Sequence, residues 1–424
     1  MAKFFKKTAA VAMAGMLTLA MLSTAAGCAK EAPVYDEFAD SRVLNIGAWV
    51  GPPSNETTQE RYDEIAESGL NFIIDIYSGA VEQKLNYSQQ AGIKYIMNGI
   101  YFPTYEGLAE YMDHPALMGI IGRDEPSVSA FEELAAKKES FKALYPDKLF
   151  FVNLLPSYAT EAQLGTKFYT DYVKMYAETV APELYVFDGY SLLKSSTGAT
   201  SIESGMLFNL ETVAMEAQEQ GKPYWAFLQT MGYGGDRRNV TEADIRFQYY
   251  TYLSYGYSGL LHFCYWTPGG AEFPESVYAM IERDGSRTPT YDAVKNVNAE
   301  ILNFDHVLLS YEWTGTMTVL GENELMCKAF QRLSSPLKEH EAIERATASE
   351  NAIIGTFKDG EYNGFMAVNF TDPALEKTNH IEIKFRGAKK ALVYVDGQPQ
   401  TVNLKGGVYS ADLDPGEGRF IIPL

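Results

Sequence analysis

Cysteine, histidine and positive charge are all scarce in this chain of 424 residues. The three cysteines, Cys28, Cys264 and Cys327, are too few for a disulfide framework. The five histidines show no paired spacing, which argues against a structural zinc site, and we expect no metal and no cofactor. Only 35 Lys and Arg residues face 55 Asp and Glu residues, so the net charge is −20. Such an acidic surface repels phosphate backbones, so we exclude nucleic acid as a partner.

The rest of the composition is that of a folded protein. The chain is 46% hydrophobic and 21% charged, and its length suits about two to three domains. Aromatic residues make up 13%, with 29 Tyr and 23 Phe. That content suits stacking on flat ligands such as sugar rings, although core packing accounts for most of these rings.

The first 28 residues have the pattern of a targeting segment. Three lysines precede an apolar run over residues 8–26, and Ala-Ala-Gly then precedes Cys28. This end resembles a bacterial lipobox, in which the cysteine is acylated and becomes the new N-terminus. We therefore predict a lipoprotein signal peptide over residues 1–27, lipidation at Cys28 and a tether over 28–42. The mature protein would be extracytoplasmic and anchored to a bacterial membrane by its lipid.

Two alternatives to the lipoprotein remain open. The segment could be an ordinary cleaved signal peptide. It could also be an uncleaved anchor, since 19 apolar residues can just span a bilayer. No later stretch of the sequence is long and apolar enough to do so.

Residues 43–311 alternate short apolar runs with longer amphipathic runs. The apolar runs predict eight strands, over residues 43–50, 71–77, 94–102, 117–122, 149–155, 184–187, 224–229 and 259–266. Strand–helix alternation implies parallel strands, and eight units over roughly 270 residues fit a (β/α)8 TIM barrel. An open doubly wound sheet is the alternative, but no glycine-rich dinucleotide fingerprint supports it.

Residues 312–424 have a different pattern, which predicts a small C-terminal β-sandwich. Short alternating strands are expected over residues 316–321, 325–331, 352–357, 364–370, 381–385, 391–395 and 419–422. Asp396-Gly397 and Gly406-Gly407 are hairpin signals. The polar residues 334–351 are expected to form a loop.

Function in a barrel lies at the C-terminal ends of its strands. The candidate residues there are Trp49, Asp75, Tyr101, Asp124, Glu125, Asn153, Asp188, Tyr190, Gln229 and Trp266. The set is rich in carboxylates and aromatics and contains no Ser–His or Cys–His pair. Glycoside cleavage needs two carboxyls about an acetal oxygen, one protonated to donate to the leaving oxygen and one ionised to attack carbon or activate water.

Glu125 is the best candidate for the protonated group. It follows an apolar strand and precedes Pro126. A carboxyl half-buried at a barrel mouth has its pKa raised by desolvation, as a general acid at neutral pH requires. The alternative is an ordinary helix-start carboxylate facing the helix dipole.

The segment Gly122-Arg123-Asp124-Glu125-Pro126 resembles the end of the fourth strand in glycoside hydrolases of clan A, where Asn-Glu-Pro carries the acid/base Glu. Tyr265-Trp266 resembles the sugar platform of that clan, and residues 281–298 resemble the last barrel segment of family 42 β-galactosidases. The resemblance covers residues 43–310. It implies a retaining glycosidase with Glu125 as acid/base and Trp266 as a platform.

The sequence departs from the clan at two positions. Asp124 replaces the Asn that contacts the sugar, and Gln229 ends the seventh strand, where the clan has its nucleophilic Glu. An amide cannot form a glycosyl ester, so another acid is needed. Asp188 is the first choice, followed by Asp75 and Glu272. An inverting mechanism, or assistance from the substrate with Gln229 orienting it, also remains open.

We therefore predict a surface lipoprotein that cleaves a glycosidic bond in an oligo- or polysaccharide. Glu125 is the proposed acid/base and Asp188 the second carboxylate. The remaining candidates are expected to bind substrate, namely Asp124, Asp75, Trp49, Tyr101, Asn153, Tyr190, Gln229 and Trp266. The alternative is a carbohydrate-binding lipoprotein on a hydrolase scaffold without turnover, which Gln229 favours.

Overall fold

The computed structural model describes residues 43–77, 79–100, 102, 104–322 and 327–424. The predictions for the signal peptide, for Cys28, for the tether and for Tyr101 lie outside these residues. Within the described ranges, no helix has both the length and the apolar character needed to cross a bilayer.

Eight of the first ten strands in the described part of the chain form a closed parallel barrel. The ten strands are β1 (Asn45–Trp49), β2 (Phe72–Ile74), β3 (Lys94–Asn98), β4 (Leu117–Asp124), β5 (Leu149–Asn153), β6 (Tyr185–Asp188), β7 (Leu192–Lys194), β8 (Thr200–Ile202), β9 (Tyr224–Gln229) and β10 (Gly259–Phe263). All except β7 and β8 belong to one sheet, in the order β5-β4-β3-β2-β1-β10-β9-β6. The sheet closes where the Leu154 N–H donates to the Val186 carbonyl at 2.8 Å.

Helices follow most barrel strands, as the alternating pattern predicts. They are α1 (Gln59–Glu67), α2 (Val81–Ala91), α3 (Ala109–Met112), α4 (Phe131–Leu144), α5 (Glu161–Leu164), α6 (Tyr169–Val180), α7 (Met206–Glu219), α8 (Glu242–Leu253), α9 (Pro289–Leu302), α10 (Asp305–Leu308) and, after the barrel, α11 (Lys328–Arg332). Local chemistry fixes several ends. Thr241 and Asp244 form a capping box at the start of α8. Gly92, with φ of 75°, ends α2.

The C-terminal strands form a two-sheet sandwich. They are β11 (Glu312–Val319), β12 (Ile343–Ala348), β13 (Ala352–Asp359), β14 (Tyr362–Asn369), β15 (Asn379–Phe385), β16 (Lys390–Val395), β17 (Gln398–Asn403), β18 (Val408–Leu413) and β19 (Gly418–Pro423). One sheet runs β11-β13-β14-β19-β16-β17 and the other β12-β15-β18, and both are antiparallel. Ile354, Phe365 and Ile383 pack in the core between them. The predicted TIM barrel followed by a small β-sandwich is confirmed.

A buried ion-pair cluster ties the sandwich to the barrel. The Arg238 guanidinium pairs with Asp244 at the start of α8 and with Asp372 of the sandwich, the latter at 2.8 Å. All three side chains are less than a tenth exposed. Because leaving one buried charge unpaired is costly, this cluster holds the loop after β9 between the two domains.

Two local predictions about this part of the chain were wrong. Residues 325–331 were expected to form a strand, but Lys328–Arg332 is a helix. Residues 334–351 were expected to form a loop, but they contain β12. That strand is an edge strand whose exposed charges hide its alternation, and Glu344 pairs across to Lys384 at 2.7 Å. The short β7–β8 hairpin carries too few apolar residues to be recognised from the sequence.

Candidate active site

A cavity of about 510 Å³ opens at the C-terminal end of the barrel. Its wall combines carboxyl, amide and aromatic side chains from the strand ends and the loops that follow them. The lining residues are Trp49, Asp124, Glu125, Asn153, Leu155, Pro156, Tyr158, Ala159, Gln163, Asp188, Tyr190, Phe227, Tyr233, Phe263, Glu272 and Phe273. Six of the sequence candidates are therefore brought together here: Trp49, Asp124, Glu125, Asn153, Asp188 and Tyr190.

The end of β4 is built to present two consecutive carboxyls to this cavity. Its pairing with β5 shifts between Ile121 and Arg123, which marks a bulge. Gly122 lies at the bulge, and a Cβ there would meet the Phe150 ring at 2.3 Å. Glu125 has φ of 43°, a left-handed conformation that is rare outside glycine. This turn brings the Glu125 side chain to the same cavity as that of its neighbour Asp124, although successive strand residues normally face opposite sides.

Three of the lining carboxyls, those of Asp124, Glu125 and Asp188, cluster with the Asn153 amide. Asn153 Nδ2 donates to Asp124 Oδ1 at 3.0 Å. The Glu125 N–H donates to the Asn153 carbonyl at 2.9 Å, which fixes the turn. The carboxyls of Glu125 and Asp188 both line the cavity and influence each other's pKa. Asp124 and Glu125 remain accessible from the cavity, whereas Asp188 is only 7% exposed.

The pKa of each of the three carboxyls is raised, and burial is the largest cause in each case. Burial raises the pKa of Glu125, and the Asp124 charge raises it further. Burial, followed by the charges of Glu125 and Asp124, holds the pKa of Asp188 well above its ordinary value. Burial also raises the pKa of Asp124, against the Asn153 hydrogen bond and the Arg123 charge. Glu125 and Asp188 therefore keep their protons to a higher pH than isolated carboxyls do.

Aromatic rings form the opposite part of the wall. Trp49 meets Phe227 edge-on at 5.7 Å between ring centroids. Tyr190 packs on Phe263 at 5.0 Å and on Tyr233 at 5.3 Å. The Tyr190 N–H also donates to Tyr158 Oη at 3.2 Å. Trp49 keeps part of its surface free, which suits it to stack on a sugar ring.

Asp75 lies outside the cavity, against its predicted role in binding substrate. It follows β2, where Phe72 and Ile74 face the barrel interior, so Asp75 faces the surrounding helices. There it pairs with Lys84 of α2 and accepts from the Tyr95 hydroxyl at 2.7 Å. Both charged groups of this pair are almost completely buried, which is the mark of a structural ion pair.

Gln229 and Trp266 also lie away from the cavity wall. The Gln229 amide donates to the carbonyls of Leu192 and Arg238 at 3.1 and 2.8 Å, and its Oε1 accepts from the Leu192 N–H at 2.9 Å. Its side chain thus joins β7 to the loop after β9. Trp266 is 4% exposed and carries the Arg61 guanidinium 5.3 Å above its ring. Its indole face is therefore covered by the protein itself.

Several lining residues were absent from the sequence candidates. Tyr158 and Gln163 come from the segment after β5, and Tyr233 from the loop after β9. Glu272 was only a third choice for the second carboxylate, and it lines the cavity with Phe273. Loop residues carry no periodicity, so the sequence offered no signal to tell these aromatics from exposed ones. In the described ranges, no group of three or more His, Cys, Asp or Glu side chains is arranged to hold a metal ion.

No protein-family model and no curated protein matches this chain. Solved structures do. A catalytic mutant of Gan42B, a GH42 β-galactosidase from G. stearothermophilus, aligns at a TM-score of 0.57 and 8% identity, over 91% of this chain and 98% of that one. A second Gan42B structure aligns at 0.58 and 8% identity, over 90% and 98%. The chain has the fold of these enzymes.

A third solved structure matches over a smaller part. The β-galactosidase from the psychrophilic Marinomonas ef1 aligns at a TM-score of 0.47 and 8% identity, over 64% of this chain. This chain spans 62% of that enzyme. The two Gan42B structures confirm the predicted resemblance to family 42 barrel enzymes as a likeness of fold, at identities that leave activity to be argued from the site.

Proposed function

We propose that this protein hydrolyses a glycosidic bond, with Glu125 as the general acid. The observation that carries the proposal is the Glu125 carboxyl itself. It stands at the end of the fourth barrel strand on an aromatic-lined cavity, with its pKa raised by burial and by Asp124. A carboxyl that keeps its proton near neutral pH can donate it to a leaving-group oxygen.

The second carboxylate is better supplied by Glu272 than by Asp188. Carboxyls that flank a glycosidic bond are about 5 Å apart in retaining enzymes and about 6.5 to 9.5 Å apart in inverting ones. Asp188 is only 7% exposed, so its carboxyl offers little surface to a sugar carbon or to an attacking water. We therefore do not assign the role of second carboxylate to Asp188.

Glu272 approaches from the other side of the barrel mouth. It belongs to the loop after β10, and its carbonyl accepts from the Gly234 N–H of the loop after β9 at 3.1 Å. Strands β5 and β6 separate β4 from β9 around the barrel. The proposed role of Glu272 is to act on carbon, or on a water, from the side of the cavity formed by the loop after β10; its presence in the lining supports this role.

The test is product release from a panel of aryl glycosides and natural oligosaccharides by the chain lacking residues 1–28. Glu125→Gln and Glu272→Gln should each lower kcat by about a hundredfold or more. Glu133→Gln is the matched control, because Glu133 is 70% exposed on α4 and pairs with Lys137 outside the cavity. The anomer released first, followed by NMR, separates retention from inversion. Equal turnover by the parent protein and by Glu125→Gln would refute the assignment.

The second candidate is a carbohydrate-binding protein without turnover. It is favoured because β9 presents no carboxylate to the cavity. Gln229, at the end of that strand, instead donates its amide hydrogens to backbone carbonyls. Saturable binding of a panel sugar by both the parent protein and Glu125→Gln, with no product from either, would establish this function instead.

We also propose that Cys28 anchors the protein to a membrane on its outer side. The support is the sequence alone, in the lysines, the apolar run and the small residues that precede Cys28. In a bacterial host, the parent chain should fractionate with membranes and incorporate labelled fatty acid. Cys28→Ala should do neither, and labelling of Cys28→Ala would contradict the assignment.

A further inference from the structure

The charge of the cavity wall is one-sided. Four acidic side chains line it, those of Asp124, Glu125, Asp188 and Glu272, and among the residues that the structure describes the lining includes no Lys, Arg or His. The guanidinium of Arg237 lies 5.2 Å from the centre of the Tyr158 ring, but its charge is paired with Asp236 at 2.7 Å, and it is not part of the lining. A site of this composition repels anions and attracts cations.

Two buried oxygens on the same wall have no hydrogen-bond partner within the described part of the chain. Asn153 is 4% exposed, and its Oδ1 accepts no hydrogen bond, because its Nδ2 is the group that meets Asp124. Asp188 is 7% exposed, and its Oδ1 is likewise without a donor. Buried polar atoms in native proteins are nearly always hydrogen-bonded, so these two oxygens mark where a bound molecule supplies donors.

We propose that the sugar bound beside Glu125 carries a protonated primary amine, as a hexosamine with a free amino group does. The inference rests on the proposed function, of which it names the substrate class. An ammonium group has three donors and no acceptor. It therefore matches a wall of unpaired acceptors and carboxyls, where a hydroxyl group brings one donor and an unneeded acceptor.

The same wall discriminates against other sugars. A uronic acid or a sulfated sugar would bring a like charge against four acidic groups. An N-acetyl group would replace the ammonium with a single N–H and add a carbonyl that needs a donor. A neutral hexose would be tolerated, but it would bring no positive charge to this acidic wall.

The test is calorimetric binding at pH 6, where the amine is protonated. The probes are D-glucosamine and D-galactosamine, each compared with its parent hexose, its N-acetyl derivative and its uronic acid. We expect at least one amino sugar to bind ten- to a hundredfold more tightly than its parent hexose, with a preference that weakens as salt is added. A nearby cation stabilises ionised carboxyls, so binding of the amine should release protons, which two buffers of different ionisation enthalpy will reveal.

Variants make the test specific to the cavity. Asp124→Asn removes one charge from the wall with little change of shape, and it should lower the amine-over-hexose preference by about tenfold. Glu133→Gln changes the net charge equally on the outer surface and should leave the preference intact. Equal affinity for amine and hexose, no binding of either amino sugar up to 100 mM (roughly the ceiling for a weak sugar site), or equal effects of the two variants would overturn the proposal.

The binding measurement does not depend on turnover. An amine preference that Asp124→Asn reduces, found in a protein that hydrolyses nothing, would refute the proposed hydrolase and leave this inference standing. Hydrolysis of neutral glycosides without any amine preference would support the proposed hydrolase and refute this inference.

Discussion

Replacing Asp75 with Asn separates a structural carboxylate from a catalytic one. The Asp75 carboxylate is paired with the fully buried Lys84 ammonium between β2 and α2. It also accepts from the Tyr95 hydroxyl at 2.7 Å and from the Tyr77 N–H at 2.8 Å. These two donors meet different carboxylate oxygens, so Asp75→Asn keeps an acceptor for only one of them, and it leaves the ammonium buried without a counter-charge.

The size of the effect follows from that burial. Breaking a buried ion pair by removing one partner costs about 3 to 5 kcal/mol. A barrel of about 260 residues has an unfolding entropy of about 0.55 kcal/mol/K. If the barrel unfolds as one unit, Asp75→Asn should lower Tm by about 5 to 9 °C. The double variant Asp75→Asn/Lys84→Met removes the unpaired ammonium and should recover at least about 2 kcal/mol of the loss.

The assay is urea and thermal unfolding of the three proteins, with binding or turnover measured per folded molecule well below Tm. We expect a large loss of stability for the single variant, partial recovery in the double variant and an unchanged affinity for sugar. A loss of sugar binding or turnover at unchanged Tm would show that Asp75 serves the cavity, and the reasoning from strand alternation would fail.

Three further results are expected. Asp124→Asn should move the high-pH limb of the rate profile to lower pH, because the Asp124 charge raises the pKa of the Glu125 acid; a shift to higher pH would contradict this. Trp49→Ala should weaken sugar binding by about tenfold, whereas Trp266→Ala should cost about 3 kcal/mol of stability with affinity unchanged; the opposite pattern would contradict the placement of the two rings. Asp372→Asn should lower the unfolding free energy by about 2 kcal/mol, since it removes one partner of the barrel–sandwich ion pair, and no change on urea denaturation would contradict that.

Local patterns in the sequence were sufficient for the architecture. The Thr241 cap, the Gly92 stop and the Asp396-Gly397 turn all occur where the alternation of strands and helices requires them. The predictions that failed concern segments in which tertiary contacts override weak local signals. In β12, charged residues cover an edge strand whose inward face is recognisable only beside β15.

The candidate site was predicted in part. Glu125 and Asp188 were both chosen as strand-end acids, and both line the cavity. Asp75 and Gln229 satisfied the same criterion and lie elsewhere. Barrel strands are apolar on both faces, so the sequence does not show which alternate set points inward. As long as the inward-pointing set is unknown, every residue at a strand end is an equal candidate for the site.

The sequence by itself determined that this chain folds as a barrel of strand–helix units followed by a sandwich, because hydrophobic periodicity and capping residues act over a few neighbours. It also determined which carboxyls stand near strand ends. Only the tertiary structure decided which of these carboxyls line the same cavity. The left-handed turn at Glu125, the outward face of Asp75 and the loops that bring Tyr158 and Glu272 to the wall all depend on barrel closure, which joins residues far apart in the chain.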